Sequence, residues 1–268
     1  MKKHFLRNSL ENIYLFLIFM FLYFPIVILM VFSFNNIKST SNWGGFSLKW
    51  YEQMLSDDAL LEAFANTVTI GVLAAVLSCV IGTAAAIGIQ GFRSKKIKGM
   101  INGVTNLPMV SSELVMGVSM MMMFLTANIP LGYFTLLLSH ITFCIPYVIV
   151  SVLPKLIQLD TGIYEAALDL GAKPFYAFRK VVIPEIKPGI ISGLLISFTL
   201  SIDDFVISFF TTGNGVNTLS IYIYSSVKRG INPMYNALST VMFILIAILL
   251  FIINKRSSGK GETGVIIP

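Results

Sequence analysis

Charge is what this sequence has least of: 12% of its 268 residues are Asp, Glu, Lys or Arg, against 56% hydrophobic. That is about half the charged fraction of an ordinary soluble domain. Such a chain cannot cover its apolar surface in water, and a soluble reading is excluded. Cysteine is nearly missing too. Cys79 and Cys144 both sit inside apolar runs, where an unpaired Cys behaves as a small hydrophobe, and two such positions make no disulfide framework. His4 and His140 have no Cys, His or carboxylate at metal-ligand spacing, so neither is a candidate metal ligand. No GxxxxGKS/T motif occurs, and the glycines within 259–264 lack both its spacing and a following helix. The chain is therefore expected to bind no ATP and no cofactor of its own. No nucleophile stands in a recognisable arrangement with a base, so direct catalysis is not expected. The run Met120 to Met123, with Met116, is the one hint of a soft-metal path. Four consecutive residues point around a whole helix, which is the arrangement of packing or lipid contact.

What the sequence has in abundance is apolar runs of membrane-spanning length. The first, 13–34, follows Lys2, Lys3 and Arg7; it is too long for the core of a signal peptide and no small-residue cleavage pattern follows it. It reads as an uncleaved first helix. Five more spans are expected at 67–89, 106–126, 133–153, 190–210 and 237–253, which makes an all-α integral membrane protein with six transmembrane helices and a single domain. An even number returns both ends to one side. All but four of the 19 Lys and Arg, the exceptions being Lys38, Lys49, Lys228 and Arg229, fall on the N-terminal side, so both termini are expected in the cytoplasm. The net charge of +6 sits in clusters beside apolar runs, which suits an anionic leaflet of the lipid bilayer and argues against nucleic acid.

The longest connection on the cytoplasmic side, 154–189, has internal order. Residues 164–184 read YEAALDLGAKPFYAFRKVVIP. Asp160 or Thr161 can cap a first short helix, Gly171 stands where a helix ends in a left-handed residue, and Pro174 suits the first turn of the next. The spacing predicts a helical hairpin. Ala166, Ala167 and Gly171 leave little side-chain bulk on it, and Glu165 adds a charge, a shape suited to docking. A bland reading, a solvated tie between two spans, competes with this one.

The pattern Glu165, Ala166, Ala167, Gly171, a hydrophobic pair and Pro184 resembles the EAA motif of permease subunits in binding-protein-dependent ABC importers; Val181 and Ile183 stand where that motif usually has Ile and Leu. The segments at 42–51, 139–150, 197–213 and 221–238 are similar to those of PotC-type permeases of spermidine/putrescine importers. The resemblance implies a type I ABC importer permease fold, with the hairpin as a cytoplasmic coupling helix on the ATPase. It divides the chain into a first helix and outer loop (1–59), a transporter core (60–253) and a cytoplasmic tail (254–268). It also implies partners: a second, PotB-like permease, a PotA-like ATPase dimer carrying ATP and Mg, and an extracytoplasmic, PotD-like polyamine-binding protein. The implied cargo is spermidine or putrescine, and related permeases for other small solutes share much of the pattern.

Three acids, Glu113, Asp203 and Asp204, fall inside expected spans that contain no Lys or Arg. An acid near a helix centre costs about 2.5–3.5 kcal/mol on insertion scales, so the Asp pair asks for roughly 5–7, while the 13 Ile, Leu, Val and Phe of 190–210 return about 4–8. Lipid exposure of those carboxylates is therefore unfavourable. A polyamine path needs such groups, with aromatic faces for cation–π contact. On one continuous helix Asp204 shares a polar stripe with Ser197, Ser201, Ser208 and Thr211 and is expected to face a hydrated pathway. Asp203, among apolar neighbours, is read either as path-facing or as bonding an adjacent helix. Glu113 is expected to face the same cavity or to mark a wet helix end. Tyr222 and Tyr224 offer ring faces, although interfacial aromatics commonly serve as anchors. The rival readings are a stand-alone secondary carrier using the same acids as proton relays and, on weaker grounds, an intramembrane enzyme.

Overall fold

Backbone N–H and C=O groups find no partner in hydrocarbon, so a chain this apolar must satisfy them within helices. The computed structural model describes residues 2–39, 42–213, 215–229 and 232–258. Among these residues the regular structure is all helical, apart from one isolated antiparallel bridge between Asn35 and Phe46. The helices are α1 (Lys2–Phe32), α2 (Lys49–Leu55), α3 (Asp58–Gly91), α4 (Lys95–Val110), α5 (Glu113–Thr126), α6 (Tyr133–Gln158), α7 (Thr161–Asp169), α8 (Pro174–Ala177), α9 (Ile183–Asp203), α10 (Val206–Thr211), α11 (Leu219–Arg229) and α12 (Met234–Ser258), with a π-helical turn, Phe178–Val182, joining α8 to α9. The tail expected over 254–268 is described only as far as Ser258; Lys260 and the glycines within 259–264 lie outside the described residues.

Four described helical runs are long and apolar enough to cross a membrane: Asn12–Phe32, Asp58–Gly91, Tyr133–Gln158 and Pro174–Asp203. α4 and α5 pass the same test only when taken together, as a pair bent by 105°. Two expected spans therefore differ from straight helices. The third, 106–126, bends at Ser111 and Ser112, whose backbones are extended (ψ 150° and 136°) just beyond Pro108. The fifth, expected over 190–210, stops at Asp203, where Asp204 turns to ψ 127°. α12 covers the sixth, with a shorter described apolar stretch, Met234–Leu245.

Contacts divide the chain into two units, Met1–Asp58 with Ser225–Pro268, and Ala59–Tyr224. In the first, α1 touches α12 and α12 touches α2. The apolar side chains of α1 from Ile13 to Leu29, all but half-buried Ile26, stay exposed around the helix, as lipid contact requires. The turn after α1 is organised by buried Asn35: its side chain donates to the carbonyls of Ser39 (3.1 Å) and Asn42 (2.7 Å) and accepts from the Gly44 N–H (2.7 Å). Its own carbonyl accepts from the indole of Trp50 at 2.5 Å. Trp50 and Met54, four residues apart on α2, form that helix's buried face.

In the second unit α6 is the axle. Gly189, Gly193, Ser197 and Ser201 recur every fourth residue along α9 and are all buried. Small residues at that spacing let two backbones approach closely. A Cβ at Gly189 would meet the Ser151 carbonyl at 2.7 Å, and one at Gly193 would meet the Val148 Cα at 3.1 Å. From the other side, a Cβ at Gly82 on α3 would lie 2.7 Å from the Val148 Cβ. Ala86, Ile89, Val148, Ile149, Val152, Leu156, Val182 and Ile186 close the core among these three helices and the π-turn.

Candidate functional site

The hairpin expected from the turn chemistry is present. Asp160 caps α7, its side chain accepting the Gly162 N–H at 2.9 Å. At the other end the Ala172 N–H donates to the Ala167 carbonyl (3.1 Å) and the Gly171 N–H to the Leu168 carbonyl (2.9 Å), the paired bonds of a Schellman ending. That ending needs a left-handed residue, and Gly171 supplies it at φ +83°. Lys173 precedes α8 and Pro174 opens it. The Ile183 N–H then reaches back to the Phe178 carbonyl, and Pro184, with no N–H to give, follows in the first turn of α9. One face of the hairpin is anchored: Ala177 and Val182 are buried, and Tyr164 and Phe178 pack against the α3–α6–α9 core. The other is bare. Leu170 is 90% exposed and Phe175 76%, with Ile163 and Tyr176 also open. Glu165, Ala166, Gly171 and Pro184 are exposed and Ala167 is half-buried.

At the opposite end of α9 the chain breaks. Asp204 folds back over the start of α10, its carboxylate accepting the N–H groups of Ile207 (3.2 Å) and Ser208 (2.8 Å). Its side chain is 2% exposed and lies 3.6 Å from the His140 Nε2. The sequence placed Asp204 on an open pathway and gave Asp203 the more enclosed surroundings; the structure encloses Asp204 and leaves Asp203 exposed. The reason is the break itself, since a carboxylate that caps the next helix turns toward the backbone it caps. The polar stripe exists, with Ser197, Ser201, Asp204, Ser208 and Thr211 all buried, but it faces α6: the Thr135 hydroxyl donates to the Thr211 carbonyl at 2.9 Å, and the Cys144 thiol to the Ser197 carbonyl at 3.5 Å.

Glu113, expected inside a span, opens α5 after the bend and is exposed. α5 lies along α10, where a Cβ at Gly117 would meet Phe210 at 3.0 Å and the Val206 carbonyl at 3.3 Å. Beyond the ends of both helices, a Cβ at Gly213 would meet the Leu131 carbonyl at 2.5 Å. The two helices thus run in the same direction, which puts Glu113 at the same end as the Asp203 break. Tyr224 joins this neighbourhood: its ring lies 4.8 Å from that of Phe205 and 6.0 Å from that of Phe209. Tyr222 is half-buried on the same helix.

Residues 78–258 match the family of binding-protein-dependent transport system inner membrane components. The chain belongs to that family. Among curated members, the chain is 39% identical over 262 residues to the spermidine/putrescine transport system permease protein PotC of Haemophilus influenzae, covering 98% of this chain and all of that one. It is 38% identical over 253 residues to the putrescine transport system permease protein PotI of Escherichia coli, covering 92% of this chain and 90% of that one. Among solved structures, a bacterial ABC transporter involved in the import of the acidic polysaccharide alginate aligns with a TM-score of 0.75, 15% identity and coverage of 98% of this chain and 99% of that one. The methionine ABC transporter MetNI aligns at 0.62 and 19%, covering 76% of this chain and 96% of that one. These last two likenesses speak for the fold.

As an inner membrane transport component the chain carries one arrangement that sequence reasoning missed: Phe205 and Phe209 in tilted and edge-on contact with Tyr224 beside the break. The signal was faint, an Asp-Asp pair in an apolar run followed by a six-residue helix. For His140 the sequence only excluded a metal-ligand role; its partners, Ser201 and Ser208, lie more than sixty positions away and carry no local pattern.

Proposed function

We infer that this chain is the permease subunit of an ATP-driven importer of polyamines, spermidine or putrescine, crossing the cytoplasmic membrane six times with both termini inside. The observation that carries this reading is the end-to-end similarity to PotC at an identity where family members commonly keep their cargo class. A polyamine is a chain of ammonium groups separated by methylenes. Exposed carboxylates on Asp203 and Glu113 at one end of parallel helices, with aromatic faces from Phe205, Phe209 and Tyr224 alongside, are the groups that replace water around such a cation. Asp204 supports the site by holding the break.

The coupling element is the hairpin from Glu165 to Pro184, docked on one subunit of a PotA-like ATPase dimer. ATP and Mg bind there, and hydrolysis belongs to those subunits. A PotB-like second permease completes the pathway, and a PotD-like binding protein delivers the solute. Closure of the ATPases pushes Leu170 and Phe175. The push enters α9 through the π-turn without a loop between them, and α9, a rod about 30 Å long at 1.5 Å per residue, ends at Asp203. The cavity opens outward, takes the solute and resets on hydrolysis.

The test is reconstitution. Labelled spermidine should accumulate in proteoliposomes only when the second permease, the ATPase, ATP and the loaded binding protein are all present. Uptake by this chain alone, driven by a proton gradient, would replace the importer with the secondary-carrier reading. If another small solute competes at the binding protein and spermidine and putrescine do not, the cargo assignment falls and the permease assignment stands.

A further inference from the structure

We propose that His140 is a positioning residue: it clamps the break between α9 and α10 and so holds Phe205 and Phe209 in place beside Asp203. His140 sits inside α6 with its side chain 2% exposed, and both ring nitrogens are engaged. Nδ1 lies 2.7 Å from the Ser201 Oγ, before the break, and Nε2 lies 2.9 Å from the Ser208 Oγ, after it. Ser201 and Ser208 are seven residues apart. In a continuous helix that separation rises about 10 Å, more than the two hydrogen bonds of one imidazole can span. The break brings the two hydroxyls to opposite sides of the ring, and the ring holds them there.

One proton assignment satisfies every group. The Ser201 hydroxyl donates to Nδ1, Nε2–H donates to the Ser208 Oγ, and the Ser208 hydroxyl donates to the Asp204 carbonyl at 3.4 Å. This uses a neutral imidazole with one donor and one acceptor. The Ser220 hydroxyl adds a second donor to the same carbonyl at 3.1 Å. The Asp204 carboxylate is occupied by the α10 backbone, so four helices meet on one turn of irregular chain. Without the ring, residues 204–205 are free to rejoin a continuous helix, in which each residue of register turns the side chains that follow by about 100°. Asp203, the last residue of α9, keeps its direction, and Phe205 and Phe209 leave the position they hold after it.

The α6–α9 contact does not depend on this residue, because Gly189 and Gly193 make it about two to three turns away. Histidine variants are therefore expected to assemble. The inference rests on the reading of Asp203 as path-facing, and the experiment separates the two. In the complete reconstituted importer, spermidine uptake and ATP hydrolysis stimulated by the loaded binding protein are measured per assembled complex. The variants are His140→Leu, His140→Gln, Asp203→Asn and the double variant S201A/S208A.

His140→Leu should lower uptake about tenfold while ATP hydrolysis is unchanged, so that less cargo moves per ATP. His140→Gln, whose amide reaches the Nε2 position, should restore part of it. S201A/S208A should match His140→Leu and add nothing in its background. Wild-type uptake per ATP in His140→Leu would overturn the clamp. So would a loss of uptake and hydrolysis in equal proportion, which a purely structural role produces. If Asp203→Asn impairs uptake while His140→Leu does not, only the clamp fails; if Asp203→Asn transports normally, the path reading fails and takes the clamp's purpose with it.

Discussion

The Asp204 Oδ2 accepts the backbone N–H of Ser208 at 2.8 Å, so the buried carboxylate of the Asp pair serves the chain before it serves any cargo. Asn caps a helix about as well as Asp, but its single amide oxygen can accept only one of the two N–H groups. Asp204→Asn is therefore expected to lower the amount of assembled complex slightly and to keep the uptake of what assembles. Asp204→Leu leaves two buried N–H groups without an acceptor, at about 1–3 kcal/mol each, and should strongly reduce the assembled complex in membranes. Quantifying complex and uptake side by side checks both, and normal assembly of the Leu variant would count against the cap.

Gly171 separates two ways of failing. A Cβ there meets nothing within 4 Å, so a side chain fits in the isolated subunit. The left-handed φ of +83° still costs a non-glycine residue about 1 kcal/mol. Gly171→Ala should lower stability slightly and keep transport. Gly171→Asp, placing a charge on the proposed docking face, should abolish uptake and the stimulation of the ATPase while the permease pair remains assembled. Pull-down of the ATPase with each variant gives the answer, and wild-type coupling in Gly171→Asp would remove this surface from the interface.

The hairpin was legible because its signals are local: a cap at Asp160, a left-handed glycine and a proline at N1 each act within a few residues. The membrane class followed from composition, and the small-residue repeat Gly189, Gly193, Ser197, Ser201 sits in plain view in the sequence. The break at Asp204 was not legible. Five of the six residues 205–210 are apolar, and the serines before and after the break keep helical spacing, so periodicity alone continues the helix. What stops it is distant: the ring of His140, 61 positions from Ser201, rewards a bent chain that no window of sequence contains. The 105° bend before Glu113 was missed as well: the apolar run 106–126 reads as one straight span, although Pro108 stands just ahead of the bend.

Close packing of α6 on α9 makes its own prediction. A Cβ at Gly189 would sit 2.7 Å from the Ser151 carbonyl, a backbone atom that cannot move aside cheaply. Gly189→Val should cost about 1–3 kcal/mol, as overpacking does, and lower the Tm of the detergent-solubilised complex by several degrees. Gly99→Val, where a Cβ meets open space, should cost no more than the helix-propensity change. Equal melting shifts for the two variants would show that the α6–α9 seam is less tight than its geometry.

Chemical crosslinking can address the docking face directly, because the two native thiols, Cys79 and Cys144, are unpaired and buried. A single introduced cysteine at Leu170, 90% exposed, therefore reports almost alone. Leu170→Cys is expected to form a disulfide or a short-linker adduct with the ATPase subunit in intact membranes, at a yield that changes when ATP is added, because closure moves the surface it touches. Val80→Cys, an exposed position on the membrane-spanning part of α3, should give no ATPase adduct in either state. If Leu170→Cys labels freely with a water-soluble maleimide whether or not the ATPase is present, nothing covers that residue, and the hairpin is a solvated connection between two helices.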